Sequence, residues 1–528
     1  MSTLSQSVRR WLKPILFLTL VVPAVVACGA ETKPLTGLFY NEDNSHFFAA
    51  EHFPPGKAGE VIDKYVDIVA GAGVKVYFCN TQSRRTNYAS RVWDSYWDGY
   101  DPDGPDDQPF LKPLPPQDRR GSRNCLDNML AVHRQGIDYP ARVIERCRHN
   151  AMSPWISLRM NDCHYSDNLT NPFHGRFWRE NPQFCRKNSP DYQASCLDYA
   201  HPEVRNFFKA LIVETLDRYD IDGLELDFMR EPYSFSAGKE AEGVPILTEW
   251  IRDIRKLVDA AAAKRGHPVR LGVRVPSRPE TSTAIGLDAV GWAREGLIDL
   301  LVATPRWHTL EFDMPLAHWR ELMGTSKTTL AGGLEALYRP WRGGPASLAS
   351  PEIATGAAVS VLANGADGVY LFNYPQGNWP LPVFQKTLKP MNSLDALLKQ
   401  PRCVGITFRD ITTPAENYKS PLPAIGKELA FCIKLGPISK NHGACNLRIG
   451  LLPSQGASAS PPTTTVNGKH CELRSDATDA TNDGLRMLSF NIPAVALTEA
   501  GVLEIKIVGT DQKELTIQRI EASLEGQL

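Results

Sequence analysis

From residue 35 to residue 400, short runs of apolar and β-branched residues alternate with longer segments whose apolar positions recur at helical spacing. The strand-like runs are Leu35–Asn41, Val74–Asn80, Pro154–Arg159, Ile221–Phe228, Val269–Val275, Ile298–Thr304, Thr328–Gly333 and Gly368–Asn373. The helical ones are Ala58–Ala72, Tyr139–His149, Pro202–Tyr219, Ile246–Arg265, Gly286–Glu295, Leu316–Met323, Pro351–Asn364 and Leu381–Gln400. Such strict pairing predicts an α/β chain, a (β/α)8 TIM barrel with long loops after the second and third strands. An open doubly wound sheet that bound nucleotide would need a Gly-rich turn after its first strand, and the sequence has none there.

The fourth run, in YDIDGLELDFMR (219–230), is the most informative. Alternation along a strand puts Leu224, Leu226 and Phe228 on one face and Gly223, Glu225 and Asp227 on the other. The apolar face suits packing on helices. The other face then carries two carboxylates into the barrel, where strand ends carry the chemistry. An ordinary strand whose acids cap a helix or pair with an arginine is the alternative. It leaves the cost of burying a Glu beneath an Asp unexplained.

Beyond residue 400 the helical period gives way to short alternating runs, Leu429–Leu435, Asn446–Leu452, Arg486–Ile492, Val502–Gly509 and Leu515–Ser523. Ser/Pro/Thr-rich turns separate them, so this part reads as an antiparallel β-sandwich. The expected division is a 1–30 signal segment, a 31–400 barrel and a 401–528 accessory domain. No Trp follows Trp379, and barrel support suits the accessory domain better than a sugar platform.

The N-terminus changes the expected location. Arg9, Arg10 and Lys13 precede an apolar run from Ile15 to Val26, which is short for a bilayer span and suits a signal peptide. Val25-Val26-Ala27-Cys28-Gly29 resembles a bacterial lipobox, with Cys28 the lipidated residue; plain secretion with cleavage after Ala27 or Ala30 is the alternative. Export predicts a periplasmic or cell-surface protein that meets the membrane only through its lipid anchor. Ten cysteines remain after Cys28, six up to Cys196 and four from Cys403, which predicts disulfides closed within each domain. A formal charge of -1 gives no global field for nucleic acid. No Cys/His spacing suggests zinc, and no cofactor is expected.

Strand ends supply the candidate chemistry. In order they give Asn80 and Arg84; Arg159, Asn161 and Asp162; Glu225 and Asp227; Arg274; Arg306, Trp307 and His308; Glu335; and Asn373 with Trp379. Carboxylates, arginines, amides and indoles together suit a site that hydrogen-bonds hydroxyls and stacks on sugar faces. Glycosidic cleavage commonly uses two carboxyl groups, one protonating the leaving oxygen and one acting as nucleophile or base. Asp227 ranks first, then Glu335, then Glu225 and Asp162. Arg84, Arg159, Arg274 and Arg306 suggest an acidic or sulfated sugar, because guanidinium forks pair with such anions. Asp98, Asp101, Asp103, Asp106 and Asp107 crowd one loop without the spacing of a calcium loop, and read as a solvated acidic turn. Trp93 and Trp97 are either rim aromatics or anchors of that loop.

Several families carry related motifs. The α-galactosidase-like barrels place an Asp nucleophile in a fourth-strand motif similar to LELDFMR, which Asp227 matches. Glu335, in GGLEALYRPW, sits where the family-10 clan carries its nucleophile, although the Asn-Glu pair of that clan is missing after strand four. The chitinase pattern DGxDxDxE falls on 222–229, with Met229 where the catalytic Glu would be, so chitinase chemistry is not expected. With LFYNEDNSHFF and RRTNYASRVWDSYWDGYDPDGP, residues 35–400 most resemble the exported, family-10-like glycoside-hydrolase barrels. That resemblance implies glycosidic cleavage of a poly- or oligosaccharide. The rivals are a non-catalytic carbohydrate-binding lipoprotein on the same scaffold and, weaker, a metal-dependent hydrolase.

Overall fold

Eight parallel strands close into a barrel in a computed structural model of the chain. It describes residues 35–528 apart from 52, 166, 167, 169, 190, 191, 373, 375, 376, 378, 453–459, 480–483, 511, 512, 527 and 528. The 1–30 segment, with Cys28, and Asn373 therefore lie outside the described residues. The strands are β1 (Gly37–Glu42), β2 (Val76–Asn80), β3 (Ser153–Arg159), β4 (Gly223–Asp227), β5 (Arg270–Pro276), β6 (Leu300–Thr304), β7 (Thr329–Leu334) and β8 (Gly368–Phe372). β8 pairs with β1 to close the ring, so the fold is the expected TIM barrel.

The strands are outlined by α1 (Ala58–Gly71), α2 (Tyr139–His149), α3 (Pro202–Arg218), α4 (Glu240–Arg265), α5 (Ala289–Arg294), α6 (Leu316–Met323), α7 (Pro351–Ala363) and α8 (Leu381–Leu388). Local chemistry sets several ends. The side chain of Asp138 caps α2 by accepting from the Ala141 amide, and Ser350 caps α7 from Ile353. Gly266 ends α4 in the left-handed conformation that a side chain resists. Two helical expectations shift. The Leu381–Gln400 segment breaks at Leu388, because Pro390 cannot continue a helix. A helix of 19 residues, Pro116–Arg134, runs through the loop after β2. Its apolar stripe is confined to Leu126, Met129, Leu130 and Val132, too short a signal to stand out among charged neighbours.

Alternation sorts each strand between two cores. Leu224 and Leu226 join the large shell that includes the helix faces. Phe39, Val76, Phe78, Trp155, Leu300, Val302, Ala331, Tyr370 and Phe372 fill the barrel interior. Trp155 blocks its floor. A Cβ on Gly223 would sit 2.3 Å from the Trp155 ring and one on Gly272 2.9 Å from it, so both neighbours must be glycine. Above that floor the inward positions turn polar, in register: Ser157 beside Glu225, Arg159 beside Asp227, and Asp227 beside Arg274.

After α8 the chain builds two antiparallel sheets. In one, β9 (Arg402–Gly405) and β11 (Cys445–Leu451) flank β14 (Leu515–Leu524), followed by β13 (Leu485–Asn491) and β12 (Glu472–Asp479). The other contains Glu428–Lys434, Val502–Val508, Thr463–Val466 and Lys469–His470. Thr463–Val466 and Glu472–Asp479 add strands where the sequence reads as turn or exposed chain. Residues 34–528 form one compact unit. The carbonyl of Cys403 in β9 comes within 2.1 Å of where a Cβ on Gly356 of α7 would lie, which only glycine permits. No helix among the described residues is long and apolar enough to cross a membrane.

The cysteines depart from expectation: all ten that are described are free thiols. Burial rather than pairing accounts for the placement of six of them, three more are half-buried, and Cys432 is exposed. Cys79, Cys147 and Cys445 belong to the apolar core, and burial pushes the Cys125 thiol up to about 12. Cys163 and Cys196 lie side by side as hydrogen-bonded thiols.

Candidate active site

The polar layer at the C-terminal ends of the strands is organised around Arg274. Its Nη1 donates to Asp227 Oδ2 at 2.9 Å, and its Nη2 lies 3.6 Å from Glu335 Oε1. The guanidinium stacks over Phe372, 3.9 Å from the ring centroid. Both carboxyl groups therefore flank one planar fork, at most about 9 Å apart, within the upper limit for paired glycosidase carboxyls. Asp227 Oδ1 also accepts from the Met229 amide. Glu335 follows β7 directly and has no hydrogen bond to Oε1. Its burial pushes the carboxyl well above the usual range, with Arg274 and Arg230 only partly opposing.

One layer below, Glu225 Oε2 accepts from Asn41 Nδ2 (3.1 Å) and from the Tyr370 hydroxyl (2.9 Å). Burial, then the charge of Asp227, raise Glu225 to about 7. The inward face predicted for Gly223, Glu225 and Asp227 is thus the observed one. All three acids are closed to solvent: Glu225 and Asp227 are 0 % exposed and Glu335 1 %.

The open part of the mouth lies beside them, over β1 to β4. A cavity of about 230 Å³ is lined by Asp43, Arg84, Arg159, Asp162, His164 and Arg230, among others. Asp162 Oδ2 accepts from Arg159 Nη1 at 3.1 Å, and Asp162 Oδ1 accepts from the backbone and ring nitrogens of His164. Burial disfavours its charge, but His164, Arg84 and Arg159 outweigh that and hold it well below the usual range. Such an acid is a permanent anion, suited to organising arginines rather than to proton transfer.

The other expected site residues divide. Arg84 and Arg159 line the cavity. Arg306 does not: its Nη2 donates to Glu231 Oε2 at 2.7 Å. Asn80 and Asn161 tie backbone together, Asn80 to the Ser157 carbonyl and Asn161 to both backbone groups of Leu197. Trp379 meets Tyr374 edge-on, and Trp307 lies tilted against His308 with ring centroids 4.3 Å apart. Trp93 is an anchor, stacked on Phe207 at 4.1 Å with its indole N–H on the Phe207 carbonyl. Trp97 stacks on His133 in the same role. In the acidic loop, Asp98 and Asp101 accept backbone amides and Asp106 pairs with Arg123. No group of His, Cys, Asp and Glu able to hold a metal occurs among the described residues.

Asp410 is the residue that the sequence does not announce. It belongs to the segment after β9, yet its carboxylate accepts from the amides of Trp307 and His308 (both 3.0 Å) and from His308 Nδ1 (2.5 Å). Its charge also reaches Glu335. The loop after β6 is therefore shaped by a residue beyond the barrel. Nearby, Glu311 accepts from Ser277 Oγ at 2.8 Å, and burial raises it to about 7.

Comparison with known proteins supports the family resemblance. Residues 122–245 match the family described as glycosyl hydrolase-like 10, a stretch that contains Arg159, Asp162, Asp227 and Arg230. The chain is glycoside-hydrolase-like over that region. Among solved structures it is similar to the PgaB (BpsB) glycoside hydrolase domain from Bordetella bronchiseptica (10% identity, TM-score 0.39, covering 68% of this chain and 99% of that one). It is also similar to a family GH18 chitinase from Chromobacterium violaceum (10%, 0.37, 92% and 90%). A third is α-L-fucosidase isoenzyme 1 from Paenibacillus thiaminolyticus (14%, 0.35, 90% and 96%). No curated protein matches the chain.

Proposed function

We propose that the protein is a glycoside hydrolase acting on a poly- or oligosaccharide, with Glu335 as general acid and Asp227 as nucleophile or base. The observation that supports this most directly is the pair of carboxyls flanking Arg274 in different surroundings. Asp227 is ion-paired with Arg274 and hydrogen-bonded to the Met229 amide, whereas burial holds Glu335 well above the usual carboxyl range. Two acids whose environments are pushed apart are what acid/base cleavage of an acetal needs. Glu335 protonates the glycosidic oxygen, Asp227 attacks the anomeric carbon or activates water, and Arg274 holds Asp227 in place. Glu225 and Tyr370 support the layer from below.

The complete burial of both carboxyls favours a second reading, a barrel that binds carbohydrate without cleaving it. Turnover of a glycan by the wild-type chain, abolished in Asp227→Asn and Glu335→Gln while binding persists, decides for the enzyme. Binding without release of reducing ends from any glycan decides for the binder.

Export with a lipid on Cys28 belongs to the same proposal, resting on the Val25–Gly29 sequence. Membrane-fraction protein that becomes soluble in Cys28→Ser supports the anchor. Wild-type protein found soluble in the cytoplasm overturns it.

A further inference from the structure

We propose that the cavity over β1 to β4 is a subsite for an anionic substituent of the glycan, a carboxylate or a sulfate ester. This deepens the glycan reading given above and rests on it. Three guanidinium groups meet there, from Arg84, Arg159 and Arg230. The first two are nearly buried, 8 % and 3 % exposed.

Donors outnumber acceptors around the cavity. Arg84 gives Nε to the Asp162 carbonyl and Nη1 to the His174 ring. Its Nη2 makes no hydrogen bond and lies 3.7 Å from Asp162 Oδ1. Arg159 gives Nη1 to Asp162, and its Nη2 is 3.2 Å from Asp43 Oδ1 without hydrogen-bonding geometry. Its Nε is unbonded too. Arg230 gives Nη2 to His164 Nε2 at 2.7 Å rather than to a carboxylate, and its Nε is also unbonded.

Simple neutralisation does not explain this arrangement. Two aspartates, Asp43 and Asp162, face three arginines, and His164 presents its acceptor nitrogen to one of them. Buried unbonded N–H groups are uncommon in folded proteins and mark a place for an acceptor. A planar carboxylate or a tetrahedral sulfate supplies two or three oxygens with the charge that the third guanidinium lacks. Tyr165 and Phe173, also in the lining, are adjacent aromatics with ring centroids 6.0 Å apart. They offer the apolar face of a sugar a surface to lie on.

Position links this subsite to the acid pair. Arg159 stands beside Asp227 in the β3–β4 register. Arg230 follows β4 by three residues and its charge reaches Glu335. The subsite therefore adjoins the acid pair, which lies closed to solvent beside it.

Binding to the full chain carrying Glu335→Gln tests the inference without turnover. The probes are an oligogalacturonate with its carboxyl-reduced form, and a sulfated galactan oligosaccharide with its desulfated form. Expected is at least tenfold tighter binding of one anionic probe than of its neutral form, with the preferred pair identifying the anion. Arg230→Gln, at the partly exposed arginine, is expected to remove that preference. Equal binding of charged and neutral forms in both pairs overturns the subsite and leaves the glycosidase proposal standing. A preference that survives intact in both Arg230→Gln and Arg84→Gln also overturns it. Failure of the wild-type chain to bind or cleave any glycan sinks both proposals together.

Discussion

Arg274 and Asp227 stand side by side in the β4–β5 register, joined by a 2.9 Å contact, and neither reaches solvent. A bare charge at this depth is costly, so each makes the other tolerable.

Removing one partner should therefore hurt more than removing both. Arg274→Met leaves Asp227 buried without its partner, and is expected to cost about 3–5 kcal/mol in urea unfolding. Adding Asp227→Asn to it should recover much of that loss. A single variant no less stable than the double one contradicts the pairing.

Glu335 sets an alkaline limit on activity. Burial holds its proton above the usual carboxyl range, so the acid form persists beyond that range and activity falls as pH rises through the raised pKa. Glu335→Gln should lower kcat by about 10²–10⁴-fold. Replacing Arg230, which favours the charged form, should move the alkaline limb upward. The pH profile of kcat/KM in Arg230→Gln checks this, and an unmoved limb argues against Glu335 as the acid.

Away from the chemistry, Glu42 should make the fold less stable as pH rises. Burial raises it to about 7, while its ordinary value is 4.5; the Tyr139 and Tyr77 hydroxyls that bond it only partly compensate. The folded state thus binds this proton more tightly than the unfolded chain. Its stabilising share is complete below about pH 4.5 and is lost as pH rises towards 7, by about 3 kcal/mol in all. Glu42→Gln should flatten that part of the stability–pH curve measured by urea unfolding. An unchanged slope between those limits removes Glu42 as its source.

Asp410 should matter to turnover despite lying outside the barrel. Asp410→Asn keeps an oxygen for the two backbone amides but loses the charged contact to His308 Nδ1. Expected is a drop in kcat of about tenfold or more with the fold retained, and an alkaline limb moved to lower pH, because the charge of Asp410 helps to raise Glu335. Wild-type kinetics would reduce Asp410 to a loop tie.

How far the sequence carries depends on what each element needs from its neighbours. β4 is legible because period-two alternation is local, and its two faces meet different cores whatever the partner strands are. The strand-end position of Glu335 follows from the same count. The company it keeps does not: that Arg274 would lie between Glu335 and Asp227 depends on the register of β4 with β5 and on β7 standing across the barrel. Arg306 and Arg84 have the same residue type at the same kind of position, yet one holds Glu231 and the other lines a cavity. Spacing cannot tell them apart. Asp410 is invisible for a plainer reason, since a hundred residues separate it from His308 and no pattern links them. The cysteines mislead because an even count describes pairing possibilities, whereas most of these thiols are placed by full or partial burial.

The loop that carries Asp410 begins where β9 ends, and β9 has β14 as its neighbour in the sheet. During synthesis, all eight barrel strands have left the ribosome well before β14 exists. For that interval β9 lacks its sheet neighbour and has its packing against Gly356 of α7 to hold it. The strand that precedes Asp410 thus completes its pairing only with Leu515–Leu524, the last strand made. A barrel that closes early is not yet a finished one.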